Sequence, residues 1–403
     1  MLLLDKPLGL SSNDALQKVK RLFRAEKAGH TGTLDPLATG LLPLCFGAAT
    51  KFSQVSLDAD KRYTATLRLG VTTTTADAEG EVLETRPVQM PDGRPISPAD
   101  IEAVCGRFVG QIKQLPPMYS ALKRDGKALY EYARAGIEVE REARAVTIFS
   151  IKVLDVAGGE IGAETPPTEP AKATAESLNG GLPVGGASAP IQAGAAAATG
   201  PEAPPTKPAQ PAAKSSVERM TVGGASAPIR AGAAPAIAAK AAPTAIGANE
   251  APALITLDIR CSKGTYIRTL AEDIGKALGC GAHLAALRRT ETGPLTLVTA
   301  LTLAQLEQMD EPTRDATLLP ADILLADWPT VRLAPEDAAR FLNGVRRRLP
   351  LSDAPHVRVY GPEPKAFLGS GHIAGGELIS DRLLSPVEVQ GLLDQPFPAL
   401  GNA

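Results

Sequence analysis

The segment Gly29-His-Thr-Gly-Thr-Leu-Asp-Pro-Leu-Ala-Thr-Gly40 gathers one imidazole, one carboxylate and several hydroxyls among three glycines and a proline. That glycine and proline content describes a structured loop, not a helix or a strand. Loops held on a rigid scaffold are where reactive groups tend to sit. Three readings are open for Asp35. It could be a reacting carboxylate, part of a phosphate cradle, or the start of an ordinary turn, since Asp-Pro is a common turn dipeptide. The cradle reading lacks the Gly-x-x-x-x-Gly-Lys-Ser/Thr pattern. Residue types alone leave the function open here.

Other constellations are weaker. Ser120-Ala-Leu-Lys123 fits the Ser-x-x-Lys pattern of penicillin-binding enzymes, but its partner motifs Ser-Asp-Asn and Lys-Thr-Gly are missing. Cys45, Cys105, Cys261 and Cys280 form no CxxC pair and no metal-ligand spacing with the histidines, so buried thiols in a reducing cytoplasm and no metal are expected. The net charge of -2 does not advertise a nucleic-acid binder, although a local basic stripe can hold phosphates while acids elsewhere cancel the sum. Met1-Leu-Leu-Leu4 runs at once into Asp5 and Lys6, too short for a signal peptide, and no stretch approaches a membrane span. A cytoplasmic location is expected.

The elements that would position the loop alternate along the chain. Ser11-Ser-Asn-Asp14 offers helix caps for a segment with Ala15, Leu16, Val19, Leu22 and Phe23 on one face and Lys18, Lys20, Arg21, Arg24 and Lys27 on the other. Arg62–Leu69 alternates as a strand with Tyr63, Ala65, Leu67 and Leu69 on one side, which makes Tyr63 a candidate core tyrosine. Ile267, Leu270, Ala271, Ile274 and Leu278 mark a helix stopped by Gly279. From Trp328 onward, short strand-like runs broken by Gly and Pro suggest a small β-rich C-terminal domain.

Between Gly158 and Glu250 the texture changes to Ala, Pro and Gly, with no aromatic residue, Cys or His. The run Val184–Ala196 recurs nearly verbatim at Val222–Ala234, with Arg230 in place of Gln192. A segment with so little bulky apolar surface cannot offset its chain entropy by burial, so it reads as a disordered insertion. Val146–Leu154 before it and Leu254–Cys261 after it both read as strands. Two strands around such an excursion suggest one hairpin whose loop has grown, because closure entropy rises only slowly with length.

The loop around Asp35 resembles the catalytic motif of the TruB family of bacterial tRNA pseudouridine synthases at nearly every position. Asp5-Lys-Pro7 with Ser11-Ser12, and Lys61-Arg-Tyr63, are similar to further family motifs. Pro116–Lys123 and Leu129–Arg134 resemble the thumb that grips substrate, and Cys261–Thr269 and Gly281–Arg289 complete the ordered set. Coverage runs from residue 1 to about 157 and from about 251 to 310.

The resemblance implies an α+β pseudouridine synthase fold, with a mixed, largely antiparallel central sheet flanked by helices and loops. It implies a catalytic domain at 1–157 and 251–315, a thumb at about 110–140 and a small β-rich PUA-like domain at 325–395. The insertion at 158–250 departs from the family and carries none of its function. The implied reaction isomerises uridine-55 in the tRNA T loop: the N1–C1′ bond breaks, the uracil turns over and rejoins through C5. No atom is gained and no redox change occurs, so no cofactor is expected. The resemblance makes Asp35 the nucleophile, Arg268 its cationic partner, and Tyr63 the ring that stacks on the flipped uracil and assists removal of the C5 proton. Tyr266 and Leu287 would line the pocket, and His30 would stack in the opened loop instead of shuttling protons. Lys123 and Arg134 would hold RNA phosphates, together with the basic face Lys18–Lys27 and the clusters Arg288-Arg289 and Arg346–Arg348. The expected partner is the tRNA T arm, with no guide RNA, no obligatory protein partner, no membrane and a monomeric chain. Opening the loop would also be compatible with an additional tRNA-folding activity.

Overall fold

The computed structural model describes residues 1–120, 122–157, 254–362 and 366–393. All of them fall in one compact unit. The insertion read as disordered lies outside the described residues.

Strands β1 (Leu2–Lys6), β2 (Ala28–His30), β3 (Ala38–Phe46) and β4 (Lys61–Leu69) build the first half of the main sheet. Strands β5 (Val71–Thr73) and β6 (Val82–Thr85) form a side hairpin, and β7 (Gly110–Gln114) is a sheet edge. A second small hairpin, β8 (Lys123–Arg124) with β9 (Lys127–Ala128), precedes the long strands β10 (Arg144–Ala157), β11 (Leu254–Cys261) and β12 (Ala282–Thr292). Two short strands, β13 (Leu295–Thr296) and β14 (Leu301–Thr302), close the main sheet. Its order is β14-β1-β3-β12-β4-β11-β10-β7, with β2 on β3 and β13 on β12. Along that path only β14–β1 and β3–β12 pair in parallel, so the sheet is mixed and largely antiparallel, as expected.

Both faces of β1 and β3 are covered, which explains why Leu2-Leu-Leu4 and Leu41-Leu-Pro-Leu-Cys45 are continuously apolar instead of alternating. Leu2, Leu4, Leu42 and Leu44 point into a core shared with helices α1 (Ser12–Leu22), α3 (Pro98–Gly106) and α5 (Ile267–Leu278), between which the short helices α2 (Ser53–Asp58) and α4 (Leu129–Arg134) fall in sequence. Met1, Leu3, Leu41 and Cys45 point into a second core shared with Phe341, Val357, Val359 and Phe367. Those last residues belong to the C-terminal block. There β15 (Thr330–Arg332), β16 (Arg347–Arg348), β17 (Ala354–Tyr360), β18 (Phe367–Ala374) and β19 (Glu377–Leu383) form a separate five-stranded sheet.

The capping and patterning signals hold with one change of role. Ser11 caps α1 by accepting from the Asp14 N–H, and Ala15, Leu16 and Val19 are buried. Gly279 ends α5 in the left-handed region at φ 89°, a conformation that costs glycine nothing. Ser12, read as part of the cap, instead points into the core. The segment assigned to the thumb divides: 110–114 is the edge strand β7, while β8, β9 and the short helix Leu129–Arg134 stand off the sheet.

Strands β10 and β11 pair antiparallel over most of their length, and Ala157 is the register partner of Leu254. The chain therefore leaves and re-enters the sheet at adjacent positions. Replacing residues 158–253 by a two-residue Asn-Gly turn is expected to leave folding intact, because the hairpin register is already set by the strands. Thermal melts should agree within a few degrees; loss of cooperative unfolding would show that the excised segment is structurally required.

Candidate active site

Asp35 and Arg268 are far apart in sequence and in contact in the fold. The Arg268 guanidinium lies 3.0 Å from the Asp35 carboxylate and 3.4 Å from that of Asp77. It also donates to the Tyr119 carbonyl at 2.6 Å and the Thr75 carbonyl at 3.3 Å. Its side chain is 7% exposed while that of Asp35 is 44% exposed. A cation is thus buried beneath a carboxylate that solvent and substrate can reach. Burial pushes the Asp35 carboxyl above its ordinary value; Arg268 and Lys6 pull it down, and Asp77 pushes it further up.

Three contacts hold the loop in place. The Ser12 hydroxyl accepts from the Leu34 N–H at 2.7 Å and donates to the Leu34 carbonyl at 2.9 Å, satisfying both backbone groups of the residue before Asp35. The Gly9 N–H donates to the Pro36 carbonyl at 2.9 Å, on the residue after it. The Ala38 N–H donates to the Asp35 carbonyl at 3.0 Å and closes the turn. At the loop's end, Gly40 has φ 97°, and a Cβ there would lie 2.3 Å from the Arg289 carbonyl. Only glycine lets β3 and β12 meet so closely. Lys6 is fully enclosed and donates to the carbonyls of Pro7 and Leu10, which shapes the turn leading to Gly9. Burial pulls that ammonium down to about 8.

Arg268 is fixed in the same manner. It sits in the first turn of α5, whose N-cap residue Tyr266 is clamped by the buried Gln114: the Tyr266 N–H donates to Gln114 Oε1 at 3.0 Å, and Gln114 Nε2 donates to the Tyr266 carbonyl at 3.3 Å. Asp77 is buried too; it accepts from the Thr75 hydroxyl and from the Glu79 N–H. Ala76, beside it, has φ 59°, a strained value for a non-glycine residue and one held here by the bridge of Asp77 to Leu284.

Tyr63 is buried on β4, where burial raises its phenol and the charge of Arg289 opposes that rise. His30 ends β2 with its Nδ1 buried and without a hydrogen-bond partner; burial and then the Arg289 charge push it below its ordinary value, so it is neutral at physiological pH. Leu287 lies on β12 between Ala38 and Ala65, packed against the core. Among the described residues no cluster of three or more His, Cys, Asp or Glu side chains is set to hold a metal, and no helix is long and apolar enough to cross a membrane.

Residues 20–166 match the family model described as TruB family pseudouridylate synthase (N terminal domain). Residues 268–326 match the tRNA pseudouridylate synthase B C-terminal domain, and residues 329–384 match Pseudouridine synthase II TruB, C-terminal. The tRNA pseudouridine synthase B of Ralstonia nicotianae is 47% identical over 389 residues, covering 95% of this chain and 93% of that protein. The chain belongs to the TruB family of pseudouridine synthases. The tRNA pseudouridine synthase B of Verminephrobacter eiseniae is 45% identical, covering 98% of this chain and 92% of its own. Among solved structures, the crystal structure of a Cbf5-Nop10-Gar1 complex matches with a TM-score of 0.55 at 19% identity, covering 96% of this chain and 86% of that one. That likeness concerns the fold. The chain is therefore an isomerase-class enzyme acting on RNA, with the family's mixed sheet and a β-rich, PUA-like C-terminal part.

Within that family frame, the basic residues named from sequence separate into two groups. Lys123 is exposed on β8, and Arg134 is exposed with its guanidinium 5.3 Å from the Tyr130 ring centre. Lys18, Arg21, Arg24 and Lys27 are exposed on or just beyond α1, and Arg24 pairs with Glu311 at 3.1 Å. The structure divides Arg288 and Arg289: only Arg289 is too buried to belong to an exposed phosphate-holding rim. Arg288 is committed to a two-pronged ion pair with Asp5 at 2.6 and 3.1 Å, and Arg289 is buried. Arg347 likewise pairs with Asp337. Ser12, Asp77, Gln114 and Arg289 are the site residues that sequence reading passed over or misassigned.

Removing the charge of Arg268 leaves Asp35 with burial and Asp77 both acting to hold its proton. Arg268→Gln is therefore expected to move the acid limb of the rate profile to higher pH, since the carboxylate then ionises later. At neutral pH the loss should be about 10²–10³-fold, the range for removing one preorganised charge partner. Single-turnover rates between pH 5 and 9 check it; an unmoved acid limb would separate Arg268 from the ionisation of Asp35.

Proposed function

We propose that this chain converts uridine-55 in the T loop of tRNA to pseudouridine, with Asp35 as the nucleophile and without cofactor or guide RNA. The observation that carries this reading is the half-exposed Asp35 carboxylate resting on the buried Arg268 guanidinium. A carboxylate in that setting is reachable by a flipped nucleotide, and the fixed cation keeps it aimed while water is displaced. The relatives' name, tRNA pseudouridine synthase B, points to the same substrate class.

In this reading the target nucleotide leaves the folded T loop and enters the space beside Asp35. Tyr63 stacks on the uracil and takes the C5 proton, Tyr266 and Leu287 wall the pocket, and neutral His30 occupies the stack that the base has left. A neutral imidazole suits stacking better than proton transfer at physiological pH. Whether Asp35 first meets C1′, C6 or a sugar proton, it must be ionised to act. The exposed cations Lys18, Arg21, Lys27, Lys123 and Arg134 grip the backbone, which positions RNA without reading it.

Release of tritium from C5-labelled uridine in a bare T-arm transcript tests the central claim. Wild-type chain should release it with no guide RNA or partner protein, and Asp35→Asn should release none above background while still binding the hairpin. Full activity in Asp35→Asn would overturn the assignment of the nucleophile. Dependence on added protein or guide RNA would overturn the stand-alone reading. An Asp35→Asn chain that still assists tRNA folding would reveal the additional folding role.

The grip predicts a salt signature. Lys123→Ala and Arg134→Ala should each weaken hairpin binding and flatten the slope of log affinity against log salt by about 0.7–0.9 per lost phosphate contact. Unchanged slopes in filter-binding titrations would remove these two residues from the interface.

A further inference from the structure

Arg289 is a second buried guanidinium at the site, and its surroundings differ from those of Arg268. It is 1% exposed. Its Nε donates to the Leu41 carbonyl at 2.7 Å and its Nη2 to the Gly32 carbonyl at 3.3 Å, so it grips both flanks of the loop that carries Asp35. No carboxylate of the described residues forms an ion pair with it. Sheet register places Arg289 opposite Tyr63, so the two buried side chains share one face of the sheet, and among the neighbouring charges Arg289 acts most strongly on the Tyr63 phenol. A fully desolvated cation without a counter-charge is costly unless something gains from it. Guanidinium only donates, so it can bond to the phenol oxygen only as an acceptor, and it favours the anionic phenolate over the phenol.

We infer that Arg289 is a positioning residue that holds the Tyr63 oxygen as the proton acceptor for C5 and locks it to the loop bearing Asp35. The inference rests on the reading of Tyr63 as the C5 base. Once C1′ is joined to C5, that carbon carries both the sugar and its hydrogen. The proton passes to the Tyr63 phenolate, the C5–H pair becomes the C5=C6 bond, and the C6=N1 pair moves onto N1, which takes a proton from water. Tyr63 then returns its proton to water, and no net proton is consumed. The other ionisable groups facing this pair are Lys61 on its own strand, Cys261 on β11, His30 on β2, Lys6 on β1 and Asp35 in the loop. Among the described residues none of these makes an ion pair with Arg289, so its charge acts on its register partner Tyr63, opposing the burial that holds the phenol above its ordinary value.

A double-mutant cycle in the full chain tests this, with single-turnover tritium release from C5-labelled T-arm RNA and hairpin affinity measured for each variant. Arg289→Met should lower the rate by about 10²-fold, the lower end of what a positioned base contributes, with affinity unchanged. It should also displace the rate profile toward higher pH, because the phenol ionises later without the cation. In a Tyr63→Phe background the same substitution should change the rate less than about twofold, since its target oxygen is gone. Independent, multiplying losses would overturn the inference and leave Tyr63 as base intact. Full activity in Tyr63→Phe alone would instead remove the C5-base reading and the inference with it. If Arg289→Met fails to melt cooperatively, Arg289→Lys takes its place. It keeps the charge but cannot span all three acceptors, so a loss of about tenfold is expected that again vanishes with Tyr63→Phe.

Discussion

A single buried guanidinium decides how this site can be put together. Arg268 has lost nearly all of its water, and a charge in that position is stable only when its donors are met and its charge is balanced. Its four acceptors come from three segments: Asp35 in the 29–40 loop, Asp77 and the Thr75 carbonyl after β5, and the Tyr119 carbonyl beyond β7. None of these segments neighbours another in sequence. Folding that buries Arg268 therefore has to bring the Asp35 loop, the segment around Asp77 and the segment around Tyr119 to one point. The geometry of the site is a condition of burying the arginine, so substrate binding does not need to create it.

The scaffold underneath is equally constrained. Because β1 and β3 are buried on both faces, neither can slip by one residue without exchanging its contents between two cores. Their fixed register carries Gly9, Ser12 and the 29–40 loop with it, which is why three short hydrogen bonds suffice to hold the residues on either side of Asp35. The C-terminal sheet contributes Val357, Val359 and Phe367 to the second core. It thereby stiffens the strand pair that supports the active site, beyond any contact it makes with RNA.

What the sequence made legible follows the range of the interaction that produced it. Helix α1, the strand through Tyr63 and the α5 stop at Gly279 are local patterns of period and capping, and they were readable. The site residues were readable only through the ordered motifs of a family, because the Asp35–Arg268 contact spans most of the chain and leaves no local mark. Ser12 shows the limit well: two adjacent serines before a helix look like caps, and only tertiary structure reveals that the second bonds Leu34. Arg289 was misread as part of a basic rim for a related reason. Neighbours on a strand face opposite ways, so one arginine reaches Asp5 at the surface while the next enters the core. Charge clustering in sequence had suggested a shared face that the strand geometry forbids.

The same strand geometry accounts for the tolerance of an excursion inside the catalytic domain. The chain departs at Ala157 and returns at Leu254, whereas Arg268 follows the opposite end of β11, beyond Cys261. Seven residue steps of extended strand separate the two ends, about 23 Å at 3.3 Å per residue. Tyr63 pairs with Ile259 near the Arg268 end, and Arg68 pairs with Leu254 at the far end. The point of departure lies at the end of β11 away from the acceptors of Arg268 and the struts of the Asp35 loop. The cost of an added segment there is loop closure, which grows only as the logarithm of length. An excursion of the same size after Cys261 would instead have to be threaded between β11 and α5, where Gln114 clamps Tyr266 and Arg268 takes its place.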